Sequence, residues 1–296
     1  MKTVSNEISL TVDNDVLFFS DYYYTAGHEL AYRKLQSEQK NLVKWLNRKN
    51  ISSKVISSIK FGSKIFNPRK TTFVGTLNMD RPYAGYTYLG YSISRLRKRS
   101  SVTILEFELG LVGKATRLGQ VQQWWHKQIG YDAPRGWDSQ ISNELIFNIG
   151  YQFQRSIKIS KEIDLVSSTG LFAGTGSNKI SQDITLRLVD FRPLAQSVFS
   201  SSLLGYEGDR SKEEVFLFFG CGVDYVVSNI FLDGSLFNSN PSPYTVDSNS
   251  WVFKKNFGIM YAKKRGSFAF SIINMGKEME DGTRHSYASL KFSQRF

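Results

Sequence analysis

Hydrophobic and polar residues alternate along most of this chain with a period of two. Within residues 144–154 the odd-numbered positions are apolar, and the even-numbered positions are mostly polar or glycine. Segments 102–111 and 216–227 show the same tendency, with an apolar, aromatic-rich face opposite a face that carries their glycines and most of their charged residues. Such alternation places successive side chains on opposite sides of a strand. The pattern therefore predicts a protein built mainly of β-strands.

The predicted strands are about ten residues long, which is longer than the strands of a typical soluble sandwich. Strands of this length with one apolar and one polar face are typical of a transmembrane β-barrel, whose apolar face contacts lipid. The barrel must close, because lipid cannot satisfy the hydrogen bonds of an open sheet edge. We predict an all-β fold, an antiparallel transmembrane β-barrel of about twelve strands, formed by a single domain over residues 1–296. The twelve segments are 7–13, 24–34, 55–66, 83–96, 102–112, 144–157, 163–175, 180–189, 215–227, 250–261, 267–275 and 286–296.

Composition supports this interpretation and adds a constraint on partners. The longest apolar run is about nine residues, so no spanning helix of roughly 20 residues is expected. A single cysteine, Cys221, excludes an intrachain disulfide. The net charge of +12 implies an anionic partner: nucleic acid, anionic lipid or a phosphorylated glycan. Apolar strand faces long enough for lipid disfavour nucleic acid. No signal peptide is apparent, and an exported chain would be numbered here from its mature N-terminus with an added Met.

Two segments depart from the strand pattern. Residues 118–132, "LGQVQQWWHKQIGYD", predict a short helix with Thr116 as N-cap and Gly130 at its end. Its apolar stripe of Val121, Trp125 and Ile129 is expected to pack on the barrel wall. Gln122 and His126 share a neighbouring face because they are four residues apart. The second segment, residues 35–50, also predicts a helix, and we assign it no function.

The topology collects the unusual polar residues on one rim. With an even strand number, both termini lie on the periplasmic side, so the connections after strands one, three and five lie at the extracellular mouth. These connections and the strand ends beside them carry Asn14, Asp15, Thr25, Lys70, Asp80, Arg81 and the helix with His126. A purely structural barrel has no need to align them, so the sequence predicts a site at the extracellular mouth.

The chemistry of these residue types suits ester hydrolysis. His126 can act as a general base near neutral pH. An amide such as Asn14 or Gln122 can donate to a developing oxyanion. The nucleophile is either water or a hydroxyl, with Ser20 and Thr25 as candidates. The alternative is a histidine on an interfacial helix that has no catalytic part.

The acidic residues indicate a cation site. Asp15 and Asp132 are predicted at the same rim, and carboxylates bind hard divalent cations such as Ca²⁺ through oxygen. Zinc is disfavoured, because several clustered histidines or cysteines are missing from the sequence.

Three stretches together resemble the outer-membrane lipid A 3′-O-deacylase family: "NDVLFFSDYYYTAG", "DRPYAGYTYLGYS" and "GQVQQWWHKQIG…RGWDSQISNE". The resemblance covers the chain in strand order and is strongest in the first 150 residues. It implies a twelve-stranded barrel with an active site between the wall and a helix from an extracellular loop. It also implies calcium-dependent removal of the 3′-linked acyloxyacyl chain from lipid A, the membrane anchor of lipopolysaccharide.

The resemblance also assigns roles to residues. It matches His126 with the catalytic base, Asn14 and Asp15 with an "ND" pair, Thr25 with a threonine and Gln122 with a glutamine of the helix. Asp132 falls where the family can carry a glutamate. Lys70 is our match for the family lysine, with Arg69 as the alternative. The outer-membrane location and positive charge suit a substrate that carries phosphates.

Two other functions remain open from the sequence. One is an outer-membrane phospholipase-type esterase with a broader acyl substrate. The other is a catalytically inactive barrel, a porin or adhesin, which would have no need of His126 beside Asn14 and Asp15. In each case we expect a monomer that partitions into membranes.

Overall fold

A computed structural model of the chain shows a closed antiparallel β-barrel of twelve strands. It describes residues 4–37, 44, 53–69, 79–97, 101–205, 213–236 and 241–296. Each strand pairs with its neighbours in sequence, and β1 pairs with β12 to close the barrel. The strands are β1 Asn6–Asn14, β2 Tyr23–Leu35, β3 Ser53–Asn67, β4 Ala84–Arg97, β5 Ser101–Val112, β6 Glu144–Lys158, β7 Ile163–Gly174, β8 Ser177–Asp190, β9 Glu214–Asn229, β10 Trp251–Lys263, β11 Gly266–Met275 and β12 His285–Arg295. The predicted fold class and all twelve predicted strands are confirmed.

The alternation seen in the sequence becomes an apolar outside and a polar inside. Leu30 of β2 pairs with Phe61 of β3, which pairs with Leu89 of β4, and all three are more than half exposed on the outer face. Inside, Lys60 lies 2.7 Å from Glu106 and 3.5 Å from Glu29. Such a row of apolar outer positions is the surface that lipid covers. No helix in the described part of the chain is long and apolar enough to cross a membrane.

The end of the barrel that holds both termini, here called the terminal end, is filled by the connection between β8 and β9. Two 3₁₀ turns, Leu194–Gln196 and Val198–Ser200, enter an apolar cluster of Val4, Ile56, Leu96, Val102, Val166, Leu194, Ala195 and Leu204. Beside it, the fully buried Arg187 donates to both carboxylate oxygens of Asp164 and to the Ser197 hydroxyl. The second predicted helix, over residues 35–50, lies almost entirely outside the described residues.

The opposite end, here called the helix rim, carries the long connection between β5 and β6. Its helix α1 spans Leu118–Ile129 and ends at Gly130, whose φ of 77° is the left-handed conformation that glycine adopts readily. The residue at the N-cap position is Arg117 rather than the predicted Thr116, although the Thr116 hydroxyl accepts from the Leu118 N–H at 3.3 Å. A second helix, α2, is the single turn Ile230–Asp233.

The prediction that the apolar stripe of α1 packs on the barrel wall is wrong. Val121, Trp125 and Ile129 are 50%, 54% and 45% exposed. The helix instead buries Leu118, Gly119, Gln122 and His126. The two polar side chains can be buried because each has hydrogen-bond partners inside the interface, which offsets the cost of removing them from water.

Candidate functional site

Helix α1 lies against the outer face of the barrel wall. Ile65 of β3 is on the same face as the exposed Phe61, and it packs in a small cluster with Met79, Tyr83, Leu118 and Trp137. Gly85 of β4, the register partner of Ile65, allows the approach, since a Cβ there would be 3.0 Å from the Cβ of Leu118. The buried polar face of α1 therefore faces the helix-rim ends of β2 and β3 from outside the barrel.

The lumen is a separate space. It contains a cavity of about 580 Å³ lined by charged and aromatic residues that include Glu29, Lys60 and Glu108. Neither Asp15 nor His126 is among the residues that line this cavity. The candidate site around Asp15 and His126 is therefore not part of this lumen cavity.

Asp21 is the centre of the polar network at this rim. One carboxylate oxygen accepts hydrogen bonds from the Asn67 amide at 3.0 Å and from the Gln122 amide at 3.2 Å. The other oxygen faces the His126 Nε2 at 3.7 Å. Three segments that are distant in sequence meet at this one carboxylate: the connection after β1, the end of β3 and helix α1.

His126 is held with a defined tautomer in its neutral form. Its Nδ1 lies 2.9 Å from the backbone carbonyl oxygen of Asp132. A carbonyl oxygen can only accept, so Nδ1 carries the proton and Nε2 keeps its lone pair. At 3.7 Å, Nε2 is too far from Asp21 for a hydrogen bond. The basic nitrogen therefore faces a carboxylate that would stabilise the imidazolium formed when it takes a proton.

Asp15 is a buried acid in the same connection. Only 3% of it is exposed, and its carboxylate accepts from the Ser20 hydroxyl at 3.0 Å and the Tyr22 N–H at 3.2 Å. Burial, with a smaller contribution from the nearby charge of Asp21, raises the pKa of Asp15 to about 8. Burial also raises the pKa of Asp21, to about 6, while His126 lowers it. Asp21 keeps 35% of its side chain exposed, so water screens it more than Asp15.

A β-bulge places Thr25 beside Asp15. Tyr24 and Ala26 pair with the consecutive residues Phe66 and Ile65, so Thr25 is the extra residue. Its carbonyl accepts from the Asp15 N–H at 3.2 Å, which makes the two residues direct neighbours. The Thr25 side chain is buried, and its hydroxyl has no hydrogen-bond partner among the described residues. Bulges often re-aim a side chain next to an active site.

The other predicted site residues take different positions. The side-chain Oδ1 of Asn14 accepts from the Val16 N–H at 2.8 Å, which shapes the turn after β1. Both polar atoms of the Gln122 amide make hydrogen bonds: the nitrogen donates to Asp21, and the oxygen accepts from the Trp137 indole N–H at 3.0 Å. Asp132 is exposed and reaches the site through its backbone carbonyl. Lys70 lies outside the described residues.

Three residues of this network were not among the sequence candidates: Asp21, Asn67 and Trp137. Asp21 and Trp137 both lie inside the stretches that carried the family resemblance, "SDYYYTAG" and "RGWDSQ". Asn67 opens the stretch "NPRKTTF", which the topology had placed at the same rim. The signal was therefore present, but only the histidine and the "ND" pair had an obvious chemistry.

The candidate cation ligands at the helix rim are mostly oxygen atoms. The Asp15 carboxylate is buried without a cationic partner, and the Thr25 hydroxyl beside it has no hydrogen-bond partner among the described residues. Oxygen ligands suit calcium or magnesium rather than zinc. No group of three or more His, Cys, Asp or Glu that could hold a metal occurs in the described ranges. A calcium ion here would thus need neutral oxygens besides Asp15.

Comparisons with known proteins agree with this architecture. A sequence model of the family described as "Outer membrane protein LpxR" matches residues 2–296. Among solved structures, LpxR from Salmonella typhimurium superposes with a TM-score of 0.78 at 18% identity, covering 98% of this chain and 100% of that chain. The comparison with curated proteins gave no match.

Two autotransporter domains gave weaker matches. The β-domain of the Bordetella autotransporter BrkA gives a TM-score of 0.48 at 8% identity, covering 99% of this chain and 98% of that chain. The translocator domain of NalP from Neisseria meningitidis gives 0.48 at 8% identity, with 99% and 89% covered.

Proposed function

The chain belongs to the LpxR family of outer membrane proteins, and from this membership together with the geometry of His126 we propose that it is a calcium-dependent lipid A 3′-O-deacylase. The observation that carries the proposal is the orientation of the imidazole. Its Nδ1–H is bonded to the Asp132 carbonyl and its Nε2 is directed at Asp21. This is the arrangement of a general base with a positioned partner.

The position of the site supports a lipid as substrate. Helix α1 covers the outer face of β3 and β4 just above the row of Phe61 and Leu89, which lipid would surround. An ester at the boundary between sugar and acyl chain lies at this height in a leaflet. A porin or adhesin offers no reason for a histidine close to two acids of raised pKa at the helix rim. Lipid A also carries phosphates, which suits a protein with a net charge of +12.

The reaction we propose is hydrolysis with His126 as base. Nε2 takes a proton from the nucleophile, and the nucleophile's oxygen forms a bond to the ester carbonyl carbon. The imidazolium, stabilised by Asp21, then gives that proton to the leaving 3′ oxygen as the ester bond breaks. With water as nucleophile, the products are the acyloxyacyl acid and a free 3′ hydroxyl. The Thr25 hydroxyl remains the alternative nucleophile.

The remaining residues bind and orient. Gln122 and Asn67 hold Asp21 in place, so we assign them as positioning residues. The amide nitrogen of Asn14 makes no hydrogen bond with any described residue, which suits it to donate to the developing oxyanion. Asp15 would hold calcium together with neighbouring neutral oxygens such as the Thr25 hydroxyl, with Asp132 as a further candidate ligand. When bound, the cation would supply positive charge that polarises the ester carbonyl.

Mass spectrometry of lipid A after incubation with the purified protein tests the proposal. We expect loss of the 3′ acyloxyacyl chain with calcium, little reaction in excess chelator, and a loss of ~10²–10⁴-fold in rate for His126→Ala. Gln128→Ala is the matched control, because Gln128 is an exposed and uncharged residue of the same helix. Release of fatty acid from phospholipid but not from lipid A would favour the phospholipase alternative. Wild-type turnover of His126→Ala would exclude the histidine as base.

A further inference from the structure

Helix α1 has three faces rather than the usual two. Leu118, Gly119, Gln122 and His126 form the buried face. At one edge of it runs an exposed apolar flank made of Val121, Trp124, Trp125 and Ile129. The opposite edge is occupied, since the Gln123 amide donates to the Pro134 carbonyl at 2.8 Å. The apolar flank is the side of the helix that the returning chain does not cover.

An exposed flank of this kind needs a partner. Its two tryptophans, Trp124 and Trp125, are 60% and 54% exposed and adjacent to each other. Large exposed apolar patches mark surfaces that bind protein or membrane. Tryptophan is enriched where a protein meets the boundary between headgroups and acyl chains.

The flank is continuous with the surface of the barrel that lipid covers. Leu118, at the start of α1, lies directly over Gly85 on the outer face of β4. Further along the same face of the same strand is Leu89, which is 53% exposed and belongs to the apolar row with Leu30 and Phe61. The helix therefore stands on the lipid-facing wall and not over the lumen.

A second apolar element lies on the other side of the candidate site. The connection after β1 exposes four consecutive apolar side chains: Val16, Leu17, Phe18 and Phe19. Phe19 is 99% exposed and has a left-handed φ of 51°, a conformation that non-glycine residues seldom adopt. This loop leads directly into Asp21, which contacts α1. The Asp21–His126 pair is thus flanked by two exposed apolar elements.

The charges around α1 match an anionic lipid surface. The connection between β5 and β6 carries four exposed basic residues, against the two exposed acids Asp132 and Asp138. The basic residues are Lys114, Arg117, Lys127 and Arg135. A helix with an apolar side, aromatic residues and basic neighbours is typical of segments that lie in the membrane interface.

We propose that the apolar flank of α1 and residues 16–19 are a membrane-contact surface that seats in the acyl chains of the surrounding leaflet. The surface holds the catalytic pair at the depth of the ester bond, and in this respect the inference rests on the proposed function. Its occupant is the acyl-chain region of the lipid leaflet, not a second copy of the chain or another protein.

Nitroxide labels test the surface without any need for catalysis. In a Cys221→Ser background, labels at Trp124→Cys, Trp125→Cys and Phe19→Cys are compared in vesicles of saturated phosphatidylcholine. Leu89→Cys is the control for the lipid-facing wall, and Gln120→Cys, on the exposed polar face of α1, is the control for water. We expect the three labels to collide with oxygen in preference to a water-soluble nickel complex, as at Leu89, and Gln120 to show the reverse.

Two outcomes would overturn the proposal. One is nickel access at Trp124 equal to that at Gln120, which would place the flank in water. The other is protection from both reagents, which would place the flank against protein.

Turnover of lipid A in the same vesicles is measured separately, with a several-fold loss expected for the double variant Trp124→Gln and Trp125→Gln. Lipid contact in a protein that never hydrolyses lipid A would overturn the proposed function and leave this surface standing.

Discussion

The two ends of the barrel bury polar groups in opposite ways. At the terminal end, Arg187 is fully buried with both Asp164 oxygens, and Glu214 accepts from the Arg192 and Val198 N–H groups and the Ser197 hydroxyl. At the helix rim, several buried side-chain atoms lack hydrogen-bond partners among the described residues. Of the ten buried side-chain atoms without a hydrogen bond in the described part of the chain, only those of Arg97 and Gln154 lie toward the terminal end.

This difference separates stability from function. A fully satisfied buried network fixes one structure, whereas each unsatisfied buried polar group costs free energy. A protein keeps such groups where something else uses them, and perturbed acids cluster at functional sites. We call the buried network of Arg187, Asp164, Ser197 and Glu214 at the terminal end the plug, and its role is to stabilise the fold. At the helix rim, a bound substrate and cation would supply the partners that the buried groups lack.

The largest effect that tests this difference between the two ends is expected from replacing Asp164 in the plug. Asp164→Ala leaves the Arg187 charge buried and unpaired, so we expect a loss of ~3–5 kcal/mol in the free energy of unfolding. Hydrolysis by the protein that remains folded should not change. Urea unfolding followed by electrophoretic band shift measures the first quantity, and lipid A turnover the second.

Glu213→Ala is the matched control for Asp164→Ala. It breaks a surface pair, Glu213 with Lys263 at 3.2 Å, whose side chains are about half exposed. Solvent screens such exposed pairs, so they contribute little to stability and the unfolding of Glu213→Ala should be near wild type. A destabilised Glu213→Ala with an unaffected Asp164→Ala would contradict the assignment of the plug.

Asp15 gives the next largest effect, with a pH dependence that follows from burial. Its pKa is raised from 3.8 to about 8, so the folded state binds this proton more tightly than the unfolded state. The stability of the calcium-free protein should thus fall as the pH rises from about 4 to about 8. Asp15→Asn keeps an acceptor oxygen but no charge, and should remove a cost on the order of a few kcal/mol at pH 8 and above.

Calcium provides the second half of this test. A cation bound at Asp15 relieves the buried charge and stabilises the folded state by mass action. Added calcium should therefore raise the unfolding temperature of the wild type more than that of Asp15→Asn, with magnesium and zinc as comparisons. An equal response of the two proteins would place the cation elsewhere.

Asp21 should affect the reaction more than the fold. Asp21→Asn retains an acceptor for Asn67 and Gln122 but loses the charge that faces Nε2 of His126. Because this negative charge would stabilise the imidazolium formed during the reaction, we expect the variant to lose ~10–100-fold in turnover. Because the pKa of Asp21 is about 6, the advantage of the wild type over the variant should grow as the pH rises through this value.

Asp138→Asn is the control for Asp21→Asn, because this acid lies in the same connection as α1 and is fully exposed. Its pH–rate profile should match the wild type. A ratio of wild-type to Asp21→Asn activity that stays constant across pH 6 would show that the charge of Asp21 does not assist the reaction.

The strands could be predicted from the sequence because lipid outside and polar lumen inside impose a strict period of two. The face of α1 could not, because periodicity finds an apolar stripe without showing what covers it. Here the polar edge with Gln122 and His126 is buried and the stripe is exposed. The contribution of Asp132 was also hidden, since it bonds His126 through a backbone carbonyl that every residue has. Asp21 lies in an irregular loop, where no period distinguishes one acid from another.

The smallest expected effect concerns Trp137, which contacts Asp21 only indirectly, through Gln122. Its indole N–H donates to Gln122 at 3.0 Å, and Gln122 donates to Asp21. Trp137→Phe loses a bond worth ~0.5–1.5 kcal/mol, so turnover should fall by only ~2–10-fold. Trp251→Phe, the same change on the exposed wall at β10, should have no effect.

If the effect passes through Gln122, Trp137→Phe must lower turnover less in a Gln122→Leu background than in the wild type. Equal costs in both backgrounds would mean that the indole only packs against Gly119 and Tyr83.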